Sequence, residues 1–192
     1  IKALLDVVKY EGSITKQFVK VGYIPQDAND LLYHQSVEAE CAQTDKDNSL
    51  TPGTTAALLH ELATTVNTAS HPRDLSEGQR LALVLAIVLA PKPDLLILDE
   101  PTRGLDYESK SLLTNFLNER SESGAAVLIA THDVELVAEL ASRIIILAEG
   151  EVVADGTTLD VLLASPSFAP QVTKVMAPRK WLTIADVLKA IE

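Results

Sequence analysis

Leu95-Leu96-Ile97-Leu98-Asp99-Glu100-Pro101 is the stretch that decides the fold of this chain. Its four apolar residues predict a short strand that is buried on both faces, as the strands of parallel sheets are. Two carboxylates follow at the C-terminal end of the strand, which is the edge of an open α/β sheet where ligands bind. Asp99 is suited to hold Mg²⁺ through water, and Glu100 to orient and deprotonate an attacking water. Taken alone, the two acids are also compatible with a polar turn after a strand.

Strands and helices alternate on both sides of this stretch, which predicts a mostly parallel α/β sheet flanked by helices. The apolar pattern predicts further strands at Phe18–Ile24, Ala125–Ala130 and Arg143–Leu147, and helices at Ser76–Ala90, Asp106–Ser123 and Val134–Leu140. Ile1–Tyr10 has the pattern of the end of an apolar helix. Between the first strand and the helix at Ser76 we expect a small helical insert that contains a loop at Gln43–Ser49.

The composition is that of a folded protein, with 47% apolar and 22% charged residues. The formal net charge of −11 argues against a nucleic-acid partner, because binding to phosphate backbones relies on basic residues. Cys41 is the only cysteine, so the chain can form no disulfide within itself. The longest apolar run, Leu81–Ala90, has ten residues, about half the length of a membrane-spanning helix. The start of the chain does not resemble a signal peptide.

A second candidate site is the segment Leu75-Ser76-Glu77-Gly78-Gln79, at the start of a predicted helix. The hydroxyl of Ser76 and the free amides of the first helical turn favour an anion, and the helix dipole adds to this effect. Gly78 has no side chain to keep a phosphate away from the backbone. An ordinary helix cap explains the same residues equally well when they are considered alone.

Four motifs follow one another along the chain, and together they resemble those of the nucleotide-binding domain of ABC ATPases. The motifs are Leu75-Ser76-Glu77-Gly78-Gln79, Leu95 to Pro101, Gly104-Leu105-Asp106 and Thr131-His132-Asp133. The resemblance covers residues 1–163 and implies a P-loop NTPase-like fold, ATP and Mg²⁺ as cofactors, and ATP hydrolysis. It makes Asp99 the Walker B aspartate and Glu100 the catalytic glutamate.

The same resemblance implies roles for residues outside the acidic pair. Gln26 is the Q-loop glutamine, which senses Mg²⁺ and the transmembrane partner, and His132 is the switch histidine, which contacts the γ-phosphate. Two domains pair head to tail, so that the signature motif of one closes the ATP site of the other. The nucleotide-binding residues implied in this way are Gln26, Ser76, Gly78, Gln79 and Asp106, and the Mg²⁺ ligands are Asp99 and Gln26.

A narrower likeness concerns the segments Gly22–Asp27, Pro101–Tyr107 and Ser165–Val172, together with Trp181-Leu182-Thr183. They are similar to segments of the ATPase subunits of energy-coupling factor importers, which take up vitamins and transition-metal ions. This likeness implies a second ATPase domain and a transmembrane coupling subunit as partners, and a cytoplasmic location on the inner face of the membrane. The alternatives left open are a non-enzymatic assembly fragment and a cytosolic ABC ATPase without a transport role.

Three features depart from the family pattern. Glu77 stands where glycine is usual, and Ala82 where arginine is common. None of the eight glycines is followed by lysine, so the phosphate-cradling loop GxxxxGK[ST] does not occur in the sequence. We therefore expect a fragment that begins just after this Walker A loop, lacks the N-terminal part of the fold and is inactive alone.

The motifs predict four parts along the chain. Residues 1–26 form a remnant of the ATPase core with a helix, a strand and the Q-loop, and residues 27–90 form a helical subdomain with the signature motif. Residues 91–164 form the ATPase core with the Walker B motif, the D-loop and the switch histidine. Residues 165–192 form a C-terminal helical appendix.

Overall fold

The computed structural model describes residues 1–17, 20–63 and 65–191. It divides into two compact units, Ile1–Ala130 and Thr131–Glu192. The boundary between the units falls inside the predicted part 91–164, at the end of a strand. The four-part division by motif remains a prediction.

The first unit contains a parallel sheet of three strands in the order β1 (Val21–Ile24), β2 (Leu95–Asp99) and β3 (Ala126–Ala130). Leu96, Ile97 and Leu98 of the central strand are almost completely buried, which confirms the prediction of a strand covered on both faces. Helix α4 (Tyr107–Glu122) connects β2 to β3. Phe18 and Val19, which belong to the predicted first strand, lie outside the described residues.

Among the described residues, helices α1 (Val37–Asp47) and α2 (Thr54–Leu62) form the predicted insert, and α3 (Glu77–Leu89) follows it. They share one apolar core, which consists of Val37, Cys41, Leu59, Leu75, Ala82, Leu83 and Ala86. Helix α3 also packs closely against β1, where a Cβ atom on Gly22 would lie only 2.7 Å from Cγ1 of Val88. A side chain at position 22 would therefore push the helix away from the sheet.

The stretch predicted as a loop, Gln43–Ser49, instead supplies the end of α1 as far as Asp47. Its polar side chains have partners inside the protein, which removes the usual objection to burying them. Thr44 Oγ1 donates to the Glu40 carbonyl at 2.9 Å, and the Asp45 carboxylate binds the beginning of α2. Tertiary hydrogen bonds thus override a composition that is typical of loops.

The helix expected over Ile1–Tyr10 is absent, and the chain forms turns there. The backbone makes one bond of helical spacing, from Leu5 N to Ile1 O at 3.2 Å. Asp6 then adopts a left-handed conformation with φ 59°, which ends any helical path. A single turn forms too few hydrogen bonds to offset the free-energy cost of helix nucleation.

Over its described residues, the second unit consists of four short helices and a hairpin. In chain order these are α5 (Val134–Leu140), β4 (Arg143–Ala148), β5 (Glu151–Thr157), α6 (Thr158–Ala164), α7 (Gln171–Met176) and α8 (Ile184–Ile191). Strands β4 and β5 are antiparallel because Glu149 and Gly150, both with positive φ, form the tight turn between them. Over the described ranges, no helix combines the length and the hydrophobicity that crossing a bilayer requires.

Candidate functional site

The strand ends of the first unit bring three of the predicted site residues into one cleft. Ile24, the last residue of β1, pairs with Leu98, so the loop that carries Gln26 leaves the sheet beside Asp99. Gln26, Asp99 and Glu100 all line a cleft of about 620 Å³ at this edge. The carboxyl ends of parallel strands are where ligands bind in open α/β sheets, so the cleft is the candidate functional site.

Glu100 has an unusual backbone conformation. Its φ is 48°, in the left-handed region that non-glycine residues rarely adopt. Two hydrogen bonds hold this turn: Glu100 N donates to Ala130 O at 2.8 Å, and Arg103 N donates to Glu100 O at 3.2 Å. Backbone strain of this kind costs on the order of 1 kcal/mol and clusters at functional sites. The conformation fixes where the Glu100 side chain leaves the chain.

Helix α3 begins beside the same cleft. Ser76 Oγ accepts a hydrogen bond from Gln79 N at 3.3 Å, and Gln79 Oε1 accepts one from Ser76 N at 3.1 Å, which forms a capping box. The segment is therefore a helix cap, which is one of the two interpretations that the sequence allows. Binding of an anion remains possible as well, because a serine hydroxyl that accepts one hydrogen bond still carries a hydrogen to donate. Ser76 itself is exposed.

Arg80 ties the segment before α3 to the helix. Its guanidinium donates to the carbonyls of Leu75 at 2.9 Å and Arg73 at 3.3 Å, and it pairs with Glu77 at 3.1 Å. Only 14% of the Arg80 side chain is exposed, so these bonds are largely shielded from water. Glu77, which departs from the family's glycine, thus has a local partner. Both residues line the cleft.

The cleft contains positive charges that the sequence motifs did not predict. Lys2, Arg80 and Arg103 line it together with the acids. The pKa of Asp27 is lowered first by hydrogen bonds from Asn29, and the charges of Arg80 and Arg103 lower it further. Cations are what a polyphosphate requires. The i, i+3 spacing of Glu77 and Arg80 could have predicted that these two side chains pair. Nothing in the sequence distinguishes Lys2 from an ordinary surface lysine.

Burial raises the pKa of Tyr23, and the charges of Asp99 and Asp30 raise it further. Tyr23 therefore stays a neutral hydrogen-bonding group on the wall of the cleft at physiological pH.

The residues predicted to form the D-loop lie at the cleft and at the start of α4. Gly104 and Leu105 line the cleft. Asp106 caps α4, because its Oδ1 accepts a hydrogen bond from Ser109 N at 2.8 Å. Backbone and side-chain hydrogen bonds from Ser109 lower the pKa of Asp106, which keeps the cap charged at neutral pH.

Comparison with known proteins identifies the family of the chain. A family model described as "AAA domain, putative AbiEii toxin, Type IV TA system" matches residues 28–138. A protein of Streptomyces coelicolor named as a "Putative ABC transporter ATP-binding protein" is 58% identical over 186 residues, which cover 97% of this chain and 33% of that protein. The chain belongs to the AAA-domain family and is an ABC transporter ATP-binding domain. It spans about a third of the length of this curated relative.

Two further relatives of this ABC domain belong to transporters by name. The "Energy-coupling factor transporter ATP-binding protein EcfA" of Methanothermobacter thermautotrophicus is 33% identical over 146 residues, 74% of this chain and 47% of that protein. The solved structure of cbiO1 from Clostridium perfringens, part of the ABC transporter complex cbiONQ, is 27% identical with a TM-score of 0.66. The match covers 88% of this chain and 67% of that one. The predicted family and fold class are thus confirmed.

Within the ABC domain, Gly78 has a packing partner that the sequence does not reveal. A Cβ atom at this position would lie 2.5 Å from Oγ of Ser109, in the first turn of α4. Because Ser109 also bonds the Asp106 cap, the signature glycine and the D-loop aspartate are coupled through one hydroxyl.

We expect Gly78→Ala to lower the free energy of unfolding by about 1 kcal/mol, because the new methyl displaces the Ser109 hydroxyl. In a Ser109→Ala background the hydroxyl is gone, and the same change should be neutral or stabilising, since alanine favours helices over glycine. Urea unfolding of the four proteins measures the coupling. Equal effects of Gly78→Ala in both backgrounds would disprove this contact.

His132 belongs to the second unit, between β3 and α5. Its turn is held by Asp133, whose backbone N donates to Thr131 Oγ1 at 3.0 Å and whose carboxylate caps α5 through Leu136 N at 3.2 Å. The geometry of the cleft is that of the first unit alone, so the role of His132 remains a proposal.

The donor atoms in the cleft fit Mg²⁺ bound with a nucleotide. Asp99 supplies a carboxylate and Gln26 an amide oxygen, and Mg²⁺ takes such hard oxygen ligands. In the part of the chain that the structure describes, no three His, Cys, Asp or Glu side chains cluster to hold a metal ion. Mg²⁺ is commonly bound by one or two protein oxygens while substrate phosphates and waters complete its shell, so this sparse set is the expected one.

Proposed function

We propose that this ABC domain binds ATP with Mg²⁺ and hydrolyses it as part of an importer of the energy-coupling factor class, for vitamins or metal ions. The observation that carries the proposal is the common cleft of Gln26, Asp99 and Glu100 at the carboxyl edge of a parallel sheet. The names of the EcfA and cbiO1 relatives support the importer class.

In this proposal Asp99 and Gln26 hold Mg²⁺, whose charge offsets that of the phosphates. Glu100 orients the attacking water and accepts its proton. The left-handed turn at Glu100, fixed by the bond to Ala130 O, keeps the carboxylate in place without reorganisation during the reaction. His132 contacts the γ-phosphate.

The exposed beginning of α3 acts on a second ATPase domain. Ser76 and Gly78 present a hydroxyl and free backbone amides at a helix N-terminus, which suits the γ-phosphate bound by the partner domain. Gln79 keeps this helix start rigid through the capping box. Asp106 holds the D-loop at the same contact between the domains.

The remaining partner is a transmembrane coupling subunit that contacts the groove near Gln26. Such a complex places the domain in the cytoplasm, at the inner face of the membrane. Closure of two ATPase domains around ATP, followed by reopening after hydrolysis, would then drive transport.

An ATPase assay on two polypeptides tests the proposal. The 192-residue chain contains no Gly-Lys dipeptide, so we expect no turnover above background when it is assayed alone. A chimera in which this chain replaces the matching segment of the Streptomyces coelicolor relative should hydrolyse ATP when Mg²⁺ is present.

The unmodified relative is the control for this assay. Turnover by the chain alone would contradict the expected inactivity. An inactive chimera beside an active relative, with both folded by circular dichroism, would contradict the proposed function.

A further inference from the structure

Helices α7 and α8 of the second unit form a groove with an apolar surface. The groove has a volume of about 290 Å³, and its apolar lining comes from Val172, Val175, Met176, Ile184 and Val187. Much of the surrounding apolar surface is open to solvent, since Val175 is 77% exposed and Ile184 61% exposed. Large apolar side chains in such a contiguous surface usually mark a binding site.

The groove continues onto one face of α8. Ile184, Val187, Leu188 and Ile191 recur at the spacing i, i+3, i+4 and i+7, and therefore form one stripe. Leu188 is 52% exposed and Ile191 is 73% exposed. The two charged residues of the helix, Asp186 and Lys189, lie on the opposite side of the helical wheel.

Local hydrogen bonds hold this surface in shape. Asp186 accepts bonds from Leu182 N at 3.0 Å and Thr183 N at 2.9 Å, while its own N donates to Thr183 Oγ1 at 3.2 Å. Thr173 Oγ1 in α7 donates to the carbonyl of Trp181 at 2.8 Å, which ties the start of α8 to α7. The apolar stripe is thus presented by an ordered pair of helices.

The charge of this region has the opposite sign to that of the chain. Residues 170–191 contain four basic side chains, Lys174, Arg179, Lys180 and Lys189, and a single acidic one, Asp186. The whole chain carries a formal charge of −11. Arg179 lies over the ring of Trp181, 4.9 Å from its centre, so a cation and the only tryptophan sit together in the segment that connects α7 to α8.

We infer that the α7–α8 surface docks on an anionic lipid bilayer. An amphipathic helix that follows two basic residues, Arg179 and Lys180, and a tryptophan matches the chemistry of the membrane interface, where apolar side chains enter the acyl boundary and cations meet the headgroups. Asp186 and Lys189 would face water, opposite the stripe. A second copy fits less well, because each copy presents the same basic charges, which repel one another.

Trp181 reports the binding without a label. We expect its fluorescence to shift to shorter wavelength when vesicles of phosphatidylglycerol and phosphatidylcholine are added to the full chain. Vesicles of phosphatidylcholine alone should give little shift, and high salt should reverse it, because each basic residue near the surface contributes roughly a fivefold gain in binding.

Two variants separate the apolar and the charged contributions. Leu188→Ser should weaken vesicle binding about tenfold, since it removes a side chain that inserts. Replacing both Lys174 and Lys180 by Ala should weaken it by more than tenfold at low salt. Leu112→Ser is the matched control, because Leu112 is 56% exposed on α4 of the first unit, and it should bind as the unmodified chain does.

Three results would overturn the inference. The first is equal binding to neutral and anionic vesicles, and the second is vesicle binding that Leu188→Ser does not weaken. The third is an unshifted Trp181 fluorescence with either kind of vesicle, together with a dimer in light scattering that Leu188→Ser dissociates. The last result would assign the surface to a second copy. Because the salt and lipid dependence is measured on the unmodified chain, the inference stays testable even if a variant misfolds. None of these measurements involves ATP, so their outcome is independent of the ATPase proposal.

Discussion

Replacing Glu100 by Gln in the chimera with the Streptomyces coelicolor relative should lower the rate of ATP hydrolysis at least a hundredfold. The amide keeps the size of the side chain but cannot accept a proton from the attacking water, and positioned general bases contribute about 10²–10⁴ to the rate. The KM for ATP should remain almost unchanged, because the substitution leaves in place the cations of the cleft and Asp99, the groups proposed to hold the nucleotide and its Mg²⁺. Steady-state kinetics with both parameters resolved makes the measurement.

Glu149 offers a matched control for this substitution. Like Glu100, it directly follows a strand and has a positive φ, 52° against 48°, but it lies in the hairpin turn between β4 and β5 and is exposed. Glu149→Gln should leave hydrolysis unchanged. If both variants lose activity equally, the loss reflects a general effect of the substitution on the protein rather than the role of the Glu100 carboxylate. A Glu100→Gln chimera with normal turnover would contradict the assigned role.

The central strand and its acids could be predicted from the sequence because they depend on short-range pattern alone. Four apolar residues predict a buried strand wherever the sheet places them, and the acids after Leu98 then stand at its carboxyl edge. The N-termini of α3 and α4 could be predicted equally well, because Ser76 and Asp106 cap them through local hydrogen bonds.

The features that the sequence did not predict depend on contacts between different secondary-structure elements. Gly78 meets Ser109 across two elements. The segment Gln43–Ser49 has the composition of a loop, yet Asp45 is buried because α2 supplies its hydrogen-bond donors. Sequence patterns report the propensity of a segment, whereas these outcomes depend on a partner that is distant along the chain.

Asp45 is a buried acid that joins α1 to α2 in the helical subdomain. It is 3% exposed, and its carboxylate accepts hydrogen bonds from Gly53 N at 2.7 Å, Thr55 N at 2.9 Å and Thr55 Oγ1 at 2.6 Å. Both oxygens are used, and they cap α2, which has no side-chain cap of its own. Burial raises the pKa of Asp45, but the hydrogen bonds from Thr55, Gly53 and Thr54 outweigh it and lower the pKa overall.

Asp45→Asn should therefore destabilise the packing of α1, α2 and α3 by about 2–4 kcal/mol at neutral pH. An amide has one acceptor oxygen, so its NH₂ group must face backbone donors of α2. Cys41 gives the measurement, because it is the only cysteine, is 2% exposed and lies in the shared core. Its rate of reaction with a thiol reagent should rise roughly thirtyfold or more as the subdomain opens more often.

The pH dependence distinguishes a lost charge from lost packing. A lowered folded-state pKa means that Asp45 stabilises the fold above its unfolded pKa of about 4, and that this contribution disappears as the pH falls through the folded value. In urea unfolding, the difference in the free energy of unfolding between the unmodified chain and Asp45→Asn should therefore become smaller below about pH 4. Asp47→Asn changes an exposed aspartate on the same helix and should shift stability by less than about 0.5 kcal/mol. If Cys41 reacts with the thiol reagent no faster in the Asp45→Asn variant than in the Asp47→Asn variant, the buried carboxylate does not hold the subdomain closed.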